Sequence, residues 1–207
     1  MMNLAMFGGS FNPVHIGHVE LLKRMIETFS LDKVLVIPTN VTPLKDNSFM
    51  ASPSDRLSMC RLAFCDIDAI EVSDLEIERK GKSYTADTLK QIKAMYPHSK
   101  LHLIVGADAF LQLELWHKAP EIFVEAKIIT IARDDKDATL LAKTGEKYRN
   151  AFNAEYGIIE TPVTNISSTE IRNRIQNKKS VEGLVPESVY QFIKENEIYG
   201  FKNQSSL

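Results

Sequence analysis

The alternation of two hydrophobic periods along the chain is the feature that most constrains its fold. Short apolar runs, such as residues 33–37 (KVLVI) and 101–105 (LHLIV), are separated by longer stretches in which apolar residues recur every three or four positions. The short runs fit buried strands, and the longer stretches fit amphipathic helices. Because strands that alternate with helices favour a parallel sheet covered on both faces, the pattern predicts an α/β fold.

The predicted elements cover most of the chain. Strands are expected at residues 3–7, 33–37, 70–78, 101–105, 127–132 and 156–159. Helices are expected at residues 14–29, 53–64 and 85–96, within 134–155, after Ser167 and after Pro186. No repeat, low-complexity tract or linker divides the 207 residues. We therefore expect a single domain over residues 1–207 with a C-terminal helical part at about 166–200.

Composition excludes several classes of protein. Hydrophobic residues make up 44% of the chain, charged residues 25%, and the formal net charge is −2. This balance argues against a protein that binds nucleic acid through bulk positive charge, and no apolar stretch reaches the ~18 residues of a membrane span. Cys60 and Cys65 are too few for a disulfide framework and fit a reducing compartment. We expect a cytoplasmic protein with neither a nucleic-acid nor a membrane partner.

Residues 8–18 (GGSFNPVHIGH) carry the most chemical information. Two glycines follow a predicted strand, where they permit positive φ and let a phosphate approach the backbone. A helix then begins, and its unpaired N–H groups favour anions. His15 and His18 are three residues apart, so their imidazoles face the same way, while Gly17 leaves room for a flat nucleotide. The segment predicts a phosphate site with two histidines.

Other interpretations of this segment are weaker. A pair of glycines alone is most often a turn, and two histidines at this spacing could be half of a metal site. No third ligand stands at the spacing of a zinc site, so no protein metal site is expected. A histidine pair facing a triphosphate suits displacement at phosphorus, which needs positioning and charge neutralisation.

A second motif, residues 166–172 (ISSTEIR), follows the histidine pair by about 150 residues. Ser167 and Glu170 have the spacing of a capping box, which accounts for much of the string. The same hydroxyl-rich helix start, with Arg172 one turn further on, would also form an anion cradle.

The two motifs together resemble the signatures of the (H/T)xGH nucleotidyltransferase superfamily, which shares a Rossmann-like, doubly wound parallel sheet with class I aminoacyl-tRNA synthetases. The resemblance implies that His18 stabilises charge on the α-phosphate of ATP, and that His15 and Arg172 are catalytic residues at the phosphates. It also implies that ATP is bound by Gly8, Gly9, Ser10, Phe11, Gly17, Gly106, Asp108, Arg133, Ile166, Ser167, Ser168 and Thr169.

The middle of the chain resembles one branch of this superfamily. Residues 83–89 (SYTADTL) and 106–108 (GAD) are similar to motifs of nicotinate-mononucleotide adenylyltransferases. Trp116, the only tryptophan, falls where that family stacks an indole on the pyridine ring, although a single tryptophan is otherwise most often a core residue. The acceptor-side residues implied by the resemblance are Lys45, Thr85, Ala86, Asp108, Trp116 and His117.

The resemblance gives these groups separate roles. Thr85 would offer its hydroxyl near a helix start, and the backbone N–H groups of Ala86 and His117 would receive the nicotinate carboxylate. Asp108 would hold a ribose hydroxyl, as acidic residues do at strand ends of nucleotide-binding folds, although it could instead cap a helix.

Two loops depart from the family pattern. Residues 42–45 read TPLK, where the family usually has a histidine before the basic residue. Asp134 and Asp135 follow Arg133, where the family tends to have Pro-Gly. Lys45, Arg56 and Arg133 nevertheless remain candidates for phosphate contacts.

The implied reaction transfers the adenylyl group of ATP to nicotinate mononucleotide, giving deamido-NAD and pyrophosphate in NAD biosynthesis. Mg²⁺ is expected to bridge the triphosphate oxygens rather than occupy a protein cage. Nicotinamide mononucleotide is the nearest alternative acceptor, while residues 83–89 and Trp116 disfavour phosphopantetheine and sugar or polyol phosphates. A nucleotide-binding sensor without chemistry is a further alternative, which the retained histidines disfavour. No sequence pattern decides between a monomer and a homo-oligomer.

Overall fold

The computed structural model describes residues 1–41, 50–160, 164 and 166–201. Within these ranges one sheet is formed by the strands β1 (Asn3–Gly9), β2 (Lys33–Pro38), β3 (Ile70–Val72), β4 (Lys100–Ile104), β5 (Lys127–Ala132) and β6 (Tyr156–Glu160). The strand order is β3-β2-β1-β4-β5-β6, and every pairing is parallel. The predicted α/β class is confirmed, with the strand order of a Rossmann-like sheet.

Nine α-helices flank the sheet within the described residues. They are α1 (Ile16–Phe29), α2 (Pro53–Phe64), α3 (Leu75–Arg79), α4 (Thr85–Met95), α5 (Ala107–Leu111), α6 (Ala119–Glu125), α7 (Asp135–Phe152), α8 (Ser168–Gln176) and α9 (Glu187–Glu195). Two 3₁₀ turns lie at Leu113–Leu115 and Ile198–Gly200. Across the helices of these ranges, none combines the length and apolar character needed to cross a membrane.

The strand order places a crevice at the centre of the sheet. β1 pairs with β2 on one side and with β4 on the other, so the direction of strand succession reverses between β1 and β4. In open parallel sheets, ligands bind at such a reversal, outside the carboxyl ends of the strands. Gly8 and Gly9 end β1, and Gly106 lies just beyond β4, so the fold brings two of the sequence motifs to this point.

Each face of the sheet has its own hydrophobic core. In β1, Ala5 and Phe7 belong to the core shared with α1, α2 and α9, whereas Leu4 and Met6 belong to the core shared with α4, α6 and α7. Because both faces are covered, the central strands are apolar at nearly every position, which is what made them readable from the sequence.

The predicted strand at residues 70–78 is wrong beyond Val72. The chain turns at Ser73, whose hydroxyl accepts the N–H of Leu75 at 3.3 Å, and α3 follows. The alternation of apolar and polar residues misled the prediction, because Glu76 is buried, with 3% of its surface exposed. An alternation of apolar and polar residues does not reveal that one of the polar side chains is buried.

The prediction also assigned no helices between residues 106 and 126, where the structure has α5 and α6. These helices contain five and seven residues, respectively. At such lengths a helix completes no more than two turns, so its period does not stand out from the surrounding sequence.

Candidate active site

The loop between β1 and α1 forms the floor of the candidate site. β1 runs through Gly8 and Gly9, and neither glycine has the positive φ that the sequence suggested. The left-handed residue is instead Phe11, with φ of 43°. A Cβ at Gly9 would lie 3.1 Å from the Phe11 ring. Glycine is therefore suited to this position because the Phe11 ring folds back over the end of β1.

Gly17 lies where two distant segments of the chain come close together. A Cβ at this position would lie 3.1 Å from the carbonyl oxygen of Thr164 and 3.2 Å from Nδ1 of His15. Thr164 is held nearby by the Glu20 carboxylate, which accepts its N–H at 3.2 Å and its hydroxyl at 2.7 Å. The missing side chain thus makes room for the protein's own backbone, whereas the sequence predicted room for a nucleotide.

The two histidines stack at the start of α1. His15 is the N-cap residue, His18 lies in the first turn, and the ring centroids are 3.7 Å apart with an interplanar angle of 26°. The predicted common orientation is confirmed. The backbone N–H of His15 donates to Nδ1 of His18 at 3.2 Å. Because Nδ1 is an acceptor, the proton of a neutral His18 resides on Nε2, which is then the donor towards a ligand.

Burial keeps both imidazoles neutral near pH 7. The Phe7 and Phe11 ring centroids lie 5.9 and 5.3 Å from that of His18. Burial lowers the pKa of His15 to about 4. Burial, and then the nearby His15, lowers the pKa of His18 well below its ordinary value of 6.5. Near neutral pH the pair therefore contributes hydrogen-bond donors without bringing two positive charges into contact.

We expect the free energy of unfolding to decrease as the pH falls below about 6.5. An unfolded histidine takes up a proton near pH 6.5, whereas folded His15 resists protonation until about pH 4. The unfolded state then binds more protons between these values, so acidification favours unfolding. His15 alone accounts for about 2 kcal/mol between pH 7 and pH 5. Urea denaturation of the wild type and His15→Gln at both pH values measures this contribution.

The matched control for this experiment is His98→Gln, because His98 is exposed. That variant is expected to keep the wild-type pH dependence, while His15→Gln shows a shallower one. An equal loss of stability on acidification in His15→Gln and the wild type would contradict the prediction.

The second sequence motif docks directly on the first. The Ser168 hydroxyl donates to the carbonyl oxygen of Pro13 at 2.8 Å, and Nη1 of Arg172 donates to that of Asn12 at 2.8 Å. These partners are 155 and 160 residues apart in sequence. Ile166, just before α8, packs against the core shared with α1. The structure therefore brings the start of α8 against the histidine-bearing loop.

The start of α8 is capped on one side only. The Ser167 hydroxyl accepts the N–H of Glu170 at 3.1 Å, as the capping box predicts. The Glu170 carboxylate does not complete the box in the described structure but pairs with Arg174 at 2.9 Å. The Thr169 hydroxyl accepts from Nη2 of Arg172 at 3.2 Å, which helps to hold the guanidinium beside the loop.

Arg56 supports the loop from below. It is 1% exposed, and its guanidinium donates to the carbonyl oxygens of Ser10 at 2.9 Å, Ala51 at 3.2 Å and Asn40 at 3.2 Å. The prediction that Arg56 contacts phosphate is wrong for this structure, because its side chain is buried and donates to backbone oxygens. A formal charge in a sequence does not reveal such burial.

These contacts orient the loop backbone. The carbonyl oxygens of Ser10, Asn12 and Pro13 all accept hydrogen bonds from protein side chains. The N–H groups of Ser10 and Phe11, by contrast, donate to no acceptor in the described parts of the chain. The carbonyl oxygens of this loop are hydrogen-bonded within the protein, while successive N–H groups are available to a ligand. Such a loop is suited to bind an anion.

The ends of β4 and β5 bring a carboxylate and a guanidinium together. Gly106 is the N-cap of α5, so Asp108 lies in the first turn and is not the helix cap. Its carboxylate is 3.2 Å from Arg133, which also contacts Asp137 at 2.8 Å. The Asp108 side chain is 83% exposed. Because exposed ion pairs are weak, a ligand can replace this one at little cost.

The acceptor-side segments also meet. α4 begins at Thr85 without a side-chain cap, and the Tyr84 ring centroid lies 4.3 Å from that of His117. Within the described ranges, the N–H groups of Ala86 and His117 have no protein acceptor. Trp116 is half-buried against the core beside α4. The helix start and the tryptophan segment thus form one surface with two available N–H donors.

A buried polar network that sequence reasoning missed lies below this surface. The Thr88 hydroxyl donates to the Glu76 carboxylate at 2.6 Å, and Arg79 donates to the Thr88 hydroxyl at 2.9 Å. The network joins α3 to the first turn of α4 and so fixes the direction of that turn.

The comparison with known proteins agrees with the geometry. Residues 6–174 match the family model described as cytidylyltransferase-like. The chain is 36% identical over 196 residues to a protein of Desulfitobacterium hafniense strain Y51 named probable nicotinate-nucleotide adenylyltransferase, covering 95% of each chain. It is also 36% identical over 199 residues to a Caldicellulosiruptor saccharolyticus protein of that name, covering 96% of this chain and 99% of the other. The chain belongs to the nicotinate-nucleotide adenylyltransferases of the cytidylyltransferase-like family.

A solved structure confirms the fold of this family member. Nicotinic acid mononucleotide adenylyltransferase of Plasmodium falciparum, solved in complex with NaAD, is similar with a TM-score of 0.79 at 20% identity. The match covers 98% of this chain and 99% of the other. The Rossmann-like sheet expected from the sequence motifs is therefore confirmed.

Several parts of the site were not foreseen. Lys45 lies outside the described residues, so its predicted phosphate contact stays a prediction. Asn12 stands inside the N-terminal motif, and its adjacent proline signals a special backbone there, but nothing in the sequence links it to α8. Two further side chains carry no sequence signal, because each is recognisable only by a distant partner. The Tyr199 hydroxyl donates to Oδ1 of Asn12 at 2.7 Å, and the Glu76 carboxylate accepts from Thr88 at 2.6 Å.

Proposed function

We propose that this chain acts as a single nucleotidyltransferase domain that transfers the adenylyl group of ATP to nicotinate mononucleotide in NAD biosynthesis. A 5′-phosphate oxygen of the mononucleotide attacks the α-phosphorus in line. The bond from that phosphorus to the oxygen bridging to the β-phosphate breaks, and deamido-NAD and pyrophosphate are formed. The observation that carries the proposal is the docking of α8 on the loop that presents the stacked histidines, in a chain that belongs to this family.

His18 is the proposed source of transition-state stabilisation. Its Nδ1 accepts a backbone N–H, so Nε2–H is the group that can donate to an α-phosphate oxygen. Negative charge on that oxygen grows as the acceptor attacks, and a fixed donor there lowers the barrier. His15 supports this geometry because its ring stacks on that of His18.

The triphosphate is proposed to lie between the loop and α8. The N–H groups of Ser10 and Phe11 face no protein acceptor within the described residues, and the Arg172 guanidinium is held beside them. Mg²⁺ is proposed to arrive bound to ATP as part of the substrate, where it would neutralise charge on the departing pyrophosphate. The remaining proposed ATP contacts are Gly8, Gly9, Gly106, Asp108, Arg133, Ile166, Ser167, Ser168 and Thr169.

The acceptor is proposed to bind at the surface formed by α4 and the tryptophan segment. Trp116 would stack on the pyridine ring, and the N–H groups of Ala86 and His117 would donate to the nicotinate carboxylate, with Thr85 beside them. Asp108 would hold a ribose hydroxyl. A carboxylate accepts from two N–H donors, whereas the amide of nicotinamide mononucleotide turns a donor towards one of them. This difference supports the acid as the acceptor.

Pyrophosphate release tests the proposal directly. With ATP and Mg²⁺, we expect kcat/KM for nicotinate mononucleotide to exceed that for nicotinamide mononucleotide by at least about 10²-fold, because a mismatched donor leaves a buried polar group unpaired. ATP without an acceptor is the control. Preference for nicotinamide mononucleotide would support the proposed adenylyl transfer but contradict the proposed acceptor. ATP binding with no release from either acceptor would favour a nucleotide-binding sensor.

A further inference from the structure

The Asn12 side chain connects the histidine-bearing loop to two distant parts of the chain. Asn12 is 5% exposed, and its Oδ1 accepts the N–H of Ala51 at 3.0 Å and the hydroxyl of Tyr199 at 2.7 Å. The tyrosine is 187 residues away in sequence. Two donors from different segments therefore fix the amide of one loop residue.

Tyr199 reaches Asn12 from an unusual backbone conformation. It lies in the 3₁₀ turn after α9, with φ of 61° and ψ of 19°. Left-handed conformations cost a non-glycine residue free energy and persist where surrounding contacts hold them. Burial raises the pKa of its hydroxyl, although Arg172 and Arg56 lie close enough to oppose that shift. The phenol thus stays protonated and acts as a donor.

The backbone of Asn12 also accepts a hydrogen bond from Arg172. The carbonyl oxygen of Asn12 accepts from Nη1 of Arg172 at 2.8 Å, while its side-chain oxygen accepts from Tyr199. Tyr199 and Arg172 therefore hold Asn12 through two different atoms, the side-chain Oδ1 and the carbonyl oxygen. A shift of Asn12 would move the point against which the Arg172 guanidinium is aligned.

We propose that Tyr199 is a positioning residue for adenylyl transfer, acting through Asn12 on the loop that presents His15 and on the alignment of Arg172. The proposal rests on the proposed function of the site. It assigns a role in the reaction to a residue from the last turn of the described chain, which acts through its hydrogen bond to Asn12.

Loss of the hydroxyl would remove one of the hydrogen bonds that hold the amide of Asn12. Small displacements of positioned groups are costly in catalysis, since about 1 Å of misplacement can reduce the rate by about 10²-fold. The N–H of Ala51 still donates to the amide, so a smaller effect is expected. We expect Tyr199→Phe to lower kcat about 10-fold while KM for ATP changes less than about twofold.

Tyr190→Phe is the matched control. Tyr190 lies on α9, is half-buried, and contacts Phe201 edge-on with ring centroids 6.0 Å apart. Its hydroxyl has no hydrogen-bond partner among the residues the structure describes. The variant makes the same chemical change in the same region, and we expect it to leave kcat within about twofold of the wild type.

The decisive measurement is a double-mutant cycle between Tyr199→Phe and Asn12→Ala. Each variant is assayed for pyrophosphate release well below its thermal midpoint, and each midpoint is recorded. If Tyr199 acts through Asn12, Tyr199→Phe lowers kcat in the wild type but changes it less than about twofold when Asn12 is already alanine. A purely structural tyrosine would lower the midpoint without this coupling in kcat.

The outcomes separate this inference from the proposed function. Absence of turnover in the wild type would count against the function. A wild type that turns over, with Tyr199→Phe matching Tyr190→Phe in kcat, would overturn the positioning role alone. An equal fall in kcat on Tyr199→Phe with and without Asn12→Ala would overturn it as well. Should Asn12→Ala fail to fold, the comparison of the two tyrosine variants decides the question.

Discussion

Replacing His18 with alanine is expected to lower kcat by about 10²–10³-fold, because the variant loses a fixed donor to the oxygen on which charge develops. KM for ATP is expected to change far less, since the loop N–H groups and Arg172 still hold the phosphates. The loss falls on kcat because His18 is proposed to interact most strongly in the transition state. Steady-state pyrophosphate release gives both constants.

The control for this variant is His98→Ala, which removes an exposed histidine from the turn after α4. It is expected to retain wild-type kinetics, and far-ultraviolet circular dichroism of both variants verifies the fold. A normal kcat in folded His18→Ala would show that His18 is not the source of transition-state stabilisation. A large rise in KM at unchanged kcat would make His18 a ground-state binding residue instead.

Replacing Arg56 with alanine is expected to lower the free energy of unfolding by about 3–5 kcal/mol. The guanidinium is 1% exposed and serves three backbone carbonyl oxygens, from Ser10, Asn40 and Ala51. Its removal leaves these oxygens without their charged donor and opens a cavity beneath the loop. Urea denaturation monitored by circular dichroism measures the change.

Arg61→Ala is the matched control, because Arg61 lies on the same helix with 56% of its side chain exposed. Its 3.4 Å contact with Asp74 is a surface ion pair, so a change below about 1 kcal/mol is expected. Equal stabilities of the two variants would show that the buried hydrogen bonds of Arg56 are not a major source of stability.

The elements that could be predicted are those with a strong local signal in the sequence. β2 and β5 were found to within one residue, because strands covered on both faces are apolar throughout. α2 was found because Ser52 caps it, accepting the N–H of Asp55 at 3.1 Å, and a proline follows the cap. These signals are local, so one sequence suffices to detect them.

The side-chain roles that escaped prediction depend on contacts between distant residues. In the sequence, Arg56 looks like a surface charge, and only the structure shows its three carbonyl partners. Glu76 looks like a solvent-facing residue of a strand, and only the structure shows its hydrogen bond with Thr88. The pairing of Tyr199 with Asn12 spans 187 residues. No spacing rule reaches that far, because such pairs are set by the path of the whole chain.

The same limit applies within the candidate site. The positions of His15 and His18 followed from their spacing on a helix, and the structure confirms that they stack. The sequence did not show why residues 9 and 17 are glycines. A side chain at Gly9 would meet the Phe11 ring, and one at Gly17 would meet the Thr164 carbonyl oxygen. A sequence shows that a side chain is missing but not what occupies its place.

The central position of β1 and β4 has a consequence for how amide hydrogens exchange with solvent. Both strands are paired on two sides and buried on both faces, whereas β6 is half-exposed and β3 has only three residues at the opposite edge. Local opening starts where burial and pairing are weakest. The sheet therefore frays from its edges inward, and the crevice between β1 and β4 keeps its shape through fluctuations that already expose the outer strands.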